Sequence, residues 1–332
     1  MMSKWRIAGA TAALALVAVL FVLTPPRLES RSIVPELPGD LDAYLKETES
    51  AAPYPLIDDT DKRIRWQVPG ERTEYAIVYL HGFSATRREL SPTIEIVADA
   101  LGANLFETRL TGHGRSSGAL VDVRAESWLD DGAEALAIGE RLGDKVIVVG
   151  TSTGATLATA ILDHPLAENV SDIVLLSPNF ALRDGMSRLL TMPAGPQLAD
   201  ALIGPIRSFE THSELHATYW SNTYPTSALV EMMRLVDYAN ASAPSAIDAN
   251  LLVMVSPGDT VISPEAGKAF LEQVQAPNKR YIEVLDIEDP SSHMLAGEIL
   301  SPSTTERVAA DIVAFIKTPG RDRSAGSAAD GG

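Results

Sequence analysis

From residue 64 onward the chain alternates short, mainly apolar runs with longer stretches whose apolar positions recur at helical spacing. The runs fall at 76–80, 104–110, 146–149, 173–176, 251–255 and 281–285. Each has strand length, and several carry no charged residue, as in strands covered on both faces. Between them, segments 128–142 and 266–274 supply several helical turns each. Such alternation predicts an α/β fold with a mostly parallel central sheet and helices on both faces. The last predicted helix has Ser303 and Glu306 at capping-box spacing, followed by an apolar stripe of Val308, Ile312, Phe315 and Ile316.

Three intervals break the pattern. Residues 7–23 form an uncharged apolar run behind Lys4, Trp5 and Arg6, and at ~1.5 Å per residue a helix of that length spans about 25 Å. It is expected to be a transmembrane signal anchor. A cleaved signal peptide is the rival reading, but the run ends Phe21-Val22-Leu23-Thr24-Pro25-Pro26, without the small residues a signal peptidase needs. Lys4 and Arg6 are matched by Arg27 and Arg31 beyond the run. The usual arrangement then places the folded domain on the extracytoplasmic side. Residues 25–55, rich in Pro, Glu, Asp and Ser, read as a spacer with a short helical stretch at 40–49. Residues 180–248 interrupt the strand alternation with amphipathic helical patches and read as a cap insertion over the sheet. Its Tyr219, Trp220, Tyr224, Met232 and Met233 divide between a small core of their own and a substrate entrance. The expected organisation is an anchor at 1–24, a linker at 25–55, a core at 56–179 and 249–318 split by the cap at 180–248, and a disordered tail at 319–332.

The formal charge of -17 argues against a nucleic-acid partner, because phosphate binding relies on Lys and Arg. The absence of cysteine removes disulfides, thiol catalysis and thiolate metal sites.

Gly150-Thr151-Ser152-Thr153-Gly154 matches G-x-S-x-G, set between the apolar run ending at Val149 and helix-forming residues from Ala155. A strand-to-helix turn of this kind pushes the serine out of the sheet and aims the next N–H at substrate. A serine hydroxyl needs a base and an orienting acid, which follow it in the order acid, then histidine, in this arrangement. Of the histidines after Ser152, His164 stands about three helical turns away, and His212 and His216 fall in the cap at i, i+4 spacing. That pair suits a metal site or, more commonly, solvent-facing polar residues. His293, in the loop Asp289-Pro290-Ser291-Ser292-His293 after the last run, is the expected base. Asp259, in Ser256-Pro257-Gly258-Asp259-Thr260 at the end of the 251–255 run, is the expected acid, with Asp286 and Asp289 as nearer rivals. His81-Gly82-Phe83 follows the 76–80 run, so the backbone N–H groups of Phe83 and Thr153 are the expected oxyanion donors, with His81 positioning the loop.

Together, His81-Gly82-Phe83, Arg109-Leu110-Thr111-Gly112-His113-Gly114, the Ser152 turn, Gly258-Asp259 and His293 resemble the α/β-hydrolase superfamily over residues 64–317. Within it the chain looks most like bacterial carboxylesterases and monoacylglycerol-lipase or lysophospholipase-like members. It departs from many relatives in having Thr151 and Thr153 beside the serine, where they carry His and another small or aliphatic residue. The resemblance implies a serine hydrolase that forms an acyl-enzyme on Ser152 from an apolar ester or lipid-like substrate, with no metal or organic cofactor and with His113 as a structural rim residue. Other readings are a thioesterase, peptidase or acyltransferase on the same residues, and a non-catalytic binding protein that keeps the fold.

Overall fold

The computed structural model describes residues 27–318, and within them the apolar runs form strands of one sheet. In chain order the elements are α1 (Leu41–Ala51), β1 (Arg63–Arg65), β2 (Thr73–Leu80), α2 (Thr93–Leu101), β3 (Asn104–Glu107), α3 (Ala125–Leu142), β4 (Gly143–Thr151), α4 (Thr153–Ala160) and β5 (Val170–Leu176). There follow α5 (Gly195–Ile203), β6 (Ile206–Ser208), α6 (Glu214–Tyr219), β7 (Thr223–Pro225), α7 (Thr226–Ser242), β8 (Asn250–Val255), α8 (Pro264–Gln273), β9 (Lys279–Glu283) and α9 (Thr305–Lys317). The sheet order is β1-β3-β2-β4-β5-β8-β9, parallel throughout except for β1 against β3.

Alternate residues along each central strand face opposite layers. Ala76, Val78 and Leu80 of β2 join Val146 and Val148 of β4 under α3, α4, α7 and α8. Ile77 and Tyr79 join Ile147 and Val149 under α2 and α9. Covered on both sides, these strands have no solvent face, which explains their unbroken apolar sequences.

Three expectations change. The run at 104–110 is a strand only as far as Glu107, because the chain then turns so that the Leu110 N–H reaches His81 Nε2 at 3.0 Å. The capping box before α9 is not formed: Thr304 precedes the helix, no side chain caps it, and the Ser303 N–H is bonded to Glu288. Residues 27–55 are not a free spacer. Leu28 is buried, and α1 buries Leu41, Leu45 and Glu49 along one face. A buried leucine contributes about 1.5–3 kcal/mol. Glu49 forks onto Arg109, with Nε at 2.8 Å and Nη2 at 2.9 Å, and its backbone carbonyl accepts from Arg115. The proline and acid content of the segment signals exposure, but an acid paired with two buried arginines is an anchor.

The expected anchor at 1–24 and tail at 319–332 lie outside the described residues. Among the described residues no helix is long and apolar enough to cross a membrane. Between β5 and β8 the chain forms α5, α6 and α7 with a small antiparallel pair, β6 and β7. The helix α7 packs on α4, directly behind the Ser152 turn.

Candidate active site

Ser152 sits between β4 and α4 at φ 52° and ψ -115°, a conformation that costs about 1–3 kcal/mol for a residue with a side chain. The turn is held by the Ser152 N–H on the Leu176 carbonyl at 2.8 Å and by the Thr156 and Asn179 N–H groups on the Ser152 carbonyl. Gly154 is required by contact: a Cβ there would stand 2.0 Å from the Leu80 carbonyl oxygen. The serine therefore protrudes from a turn packed against β2.

His293 Nδ1 lies 2.8 Å from Asp259 Oδ2. Asp259 is fully buried, and its other oxygen accepts the Val261 and Ile262 N–H groups, which fixes the carboxylate. Asp289 has a different task. It accepts the N–H groups of Ser291, His293 and Met294 and the Ser291 hydroxyl, folding the loop that carries the imidazole. Burial pushes the Asp289 carboxyl up, but these donors bring it below the usual carboxylate range. Asp286 has positive φ in the turn after β9. For His293, burial favours the neutral ring, and the Asp259 hydrogen bond and charge outweigh it, so its pKa is raised above the ordinary 6.5. Among the described residues, the His293 ring is hydrogen-bonded to Asp259 and no bond joins it to Ser152. Such bonds commonly tighten only in the substrate complex.

On the other side of Ser152, His81 accepts the Leu110 N–H at Nε2, which leaves Nδ1 to donate to the Gly82 carbonyl at 2.9 Å. Burial and the neighbouring His113 hold His81 well below the usual histidine range, and burial pushes His113 down to about 4. Both rings are neutral supports. His113, Trp128 and Tyr224 surround Phe83, with ring centroids 5.7, 6.2 and 5.0 Å from it. Among the described residues the N–H groups of Phe83 and Thr153 have no acceptor, and both residues line the same cavity as Ser152 and His293.

That cavity holds about 480 Å³, bounded by the Ser152 turn, the His293 loop and the cap. Of the cap residues singled out by sequence, Trp220, Tyr224 and Met232 line it, whereas Met233 packs in the core and Tyr219 lies under the Arg88 guanidinium at 4.9 Å. Of the His212 and His216 pair, His212 is solvent-exposed as expected, whereas His216 is buried against Trp220; the His216 Nδ1 accepts the His212 N–H at 3.2 Å, and both residues line the cavity. Among the described residues no group of three potential metal ligands occurs. A larger groove of about 590 Å³ between α1 and residues 56–64 is lined mainly by charged residues and does not include Ser152.

One contributor had no sequence signal. Glu89 is buried at the cavity wall, and its Oε1 accepts the Gly82 N–H at 2.6 Å and the Tyr79 hydroxyl at 2.7 Å.

The fold and the placement of Ser152 define an α/β-hydrolase of the serine hydrolase class. A family model described as serine aminopeptidase, S33 (Hydrolase_4) matches residues 71–286, and the chain belongs to that family. No curated protein matches the sequence significantly. Solved structures share the fold. One, described with LipS and LipT, two metagenome-derived lipolytic enzymes, has a TM-score of 0.63 at 15% identity over 80% of this chain and 100% of that one. A soluble variant of monoglyceride lipase from Saccharomyces cerevisiae gives 0.56 at 13% identity over 88% of this chain and 98% of that one. The monoacylglycerol lipase of Paleococcus ferrophilus gives 0.53 at 15% identity over 77% and 97%.

Proposed function

We propose that the chain hydrolyses carboxylic esters of apolar acyl groups through Ser152, His293 and Asp259. His293 takes the Ser152 proton as the hydroxyl oxygen attacks the acyl carbonyl, and the tetrahedral oxyanion is met by the Phe83 and Thr153 N–H groups. The imidazolium then protonates the leaving alcohol. Water, deprotonated by the same histidine, releases the acid from the acyl-enzyme. The observation that carries this reading is the His293–Asp259 hydrogen bond of 2.8 Å beside the cavity that also holds Ser152. The apolar preference is supported by Phe83, Trp220, Leu229, Met232 and Leu300 in the cavity wall. It is also in keeping with the lipases and lipolytic enzymes that share the fold. The apolar run at 7–23 supports tethering to a membrane, with the domain on the extracytoplasmic side and lipid-like esters within reach.

The test is hydrolysis of p-nitrophenyl esters of increasing acyl length by the full chain in detergent, against Ser152→Ala. A loss of ~10⁴-fold or more in the variant supports the reading, and a preference for short, charged esters removes its apolar part. A second reading, removal of an N-terminal residue from a peptide, is favoured by the family description and by Glu210 in the cavity lining, whose carboxylate suits a substrate amine. Ser152-dependent turnover of amino-acid naphthylamides in place of esters would select it.

A further inference from the structure

Glu89 is a buried acid at the cavity wall that this mechanism does not use. Its Oε1 holds the Gly82 N–H, so that N–H points away from substrate, and the Phe83 N–H that follows is left for the cavity. The Tyr79 hydroxyl, which donates to the same Oε1, also lies 3.1 Å from the Thr151 hydroxyl. One carboxyl thus links the residue before the oxyanion donor to the residue before the nucleophile. The packing is close: a Cβ on Gly82 would stand 3.1 Å from Glu89 Oε2 and 3.3 Å from Ser152 Cβ.

We propose that Glu89 is a positioning residue for catalysis, a clamp that fixes the Gly82 peptide so that the Phe83 N–H meets the oxyanion. The proposal rests on the ester-hydrolase reading. Groups facing the carboxyl are Tyr79 on β2 and His293 on the loop after β9. On its own turn, Arg87 and Arg88 are directed elsewhere, to Asp59 and Glu298. His293 in turn is faced by Asp259, Asp289 and Glu89, all of which favour its charged form. Burial pushes Glu89 up to about 7, so its charge changes in the range where His293 works. A bond to a backbone N–H upstream of the donor affects the transition state rather than substrate binding, so its loss should lower kcat and spare KM.

The experiment uses the full chain in detergent and compares wild type, Glu89→Ala, Glu89→Gln and Tyr79→Phe. It reads kcat and KM on a p-nitrophenyl ester from pH 5 to 9 and the rate at which a fluorophosphonate labels Ser152. Glu89→Ala is expected to lower kcat and the labelling rate by ~10- to 10²-fold with KM within about 3-fold, less than the loss of a whole oxyanion donor. Glu89→Gln, which keeps an acceptor for Gly82, is expected to restore most of the rate. Its acidic limb of kcat/KM should move to lower pH, because a negative charge facing His293 is gone. Tyr79→Phe removes one side of the clamp and is expected to cost a few-fold. A folded Glu89→Ala protein with wild-type kcat overturns the proposal, as does a Glu89→Gln protein as slow as Glu89→Ala with an unmoved limb. If Glu89→Ala does not fold, the Gln and Tyr79→Phe proteins decide by the same readings. Wild type that neither turns over esters nor is labelled at Ser152 removes the ester-hydrolase reading and this proposal together, whereas Ser152-dependent activity indifferent to Glu89 removes this one alone.

Discussion

Asp289 binds the backbone of His293, Oδ2 to N–H at 2.9 Å, while the imidazole of the same residue turns to Asp259. Two acids thus divide the work, one folding the loop and the other orienting the ring. Asp259→Asn is expected to lower kcat by ~10³- to 10⁴-fold with the melting temperature little changed. Asp289→Asn is expected to do the reverse, costing about 2–4 kcal/mol of stability by weakening several bonds to a charged acceptor. Steady-state kinetics and urea unfolding on the two proteins check the division.

The pH profile should follow His293. As the proposed base, His293 must be neutral to take the serine proton, and its pKa is raised above 6.5 with Asp259 as the main source of the increase. kcat/KM is therefore expected to rise with pH through a midpoint above 6.5 and then level. A midpoint at or below the ordinary histidine value would count against the pairing.

Glu89 leaves a separate trace in stability. Its folded pKa of about 7 exceeds the ordinary 4.5, so between those values the native state holds a proton that the unfolded chain has released. Its contribution to stability falls as pH rises through that window, by at most about 3 kcal/mol, and stays low above it. Glu89→Gln lacks this loss. The variant is expected to gain on wild type between pH 5 and 8 in urea midpoints read at each pH.

Glu49→Ala should unfold the rim. It leaves Arg109 buried and both Arg109 and Arg115 without their shared carboxylate, a change of about 3–5 kcal/mol when one partner of a buried pair is removed. Arg109 also donates to the His113 carbonyl at 3.2 Å, so the ring cluster under Phe83 is expected to loosen with it. Thermal unfolding gives the size, and tryptophan fluorescence reports Trp128 in that cluster.

The central strands were legible because parallel strands covered on both faces leave polar residues no place, as in Val146 to Val149. The Ser152 turn announced itself through local spacing, and His293 and Asp259 through their order along the chain. Glu89 and Glu49 were not legible. Glu89 stands in Thr86-Arg87-Arg88-Glu89, which reads as a solvated turn, and its partners Gly82 and Tyr79 are brought to it only by the return of the chain from β2. Glu49 meets arginines sixty and more positions away. In both cases burial is decided by a tertiary partner, which residue type alone cannot report. The strands β6 and β7 are three residues each, β6 exposed throughout and β7 in part, too short for a period-2 pattern to register.

The docking of residues 27–55 on the domain would shorten the leash of the proposed membrane anchor. Taken as a spacer, thirty-odd residues would let the enzyme roam roughly 100 Å from a bilayer at ~3.3–3.6 Å per extended residue. With Leu28 already buried in the domain, the proposed anchor at 7–23 would leave only the few residues after Leu23 to bridge the two, a span of at most about 18 Å. An enzyme anchored through residues 7–23 would then rest almost against the lipid headgroups. Its supply of substrate would be set by what diffuses within the leaflet beside it rather than by what is dissolved beyond.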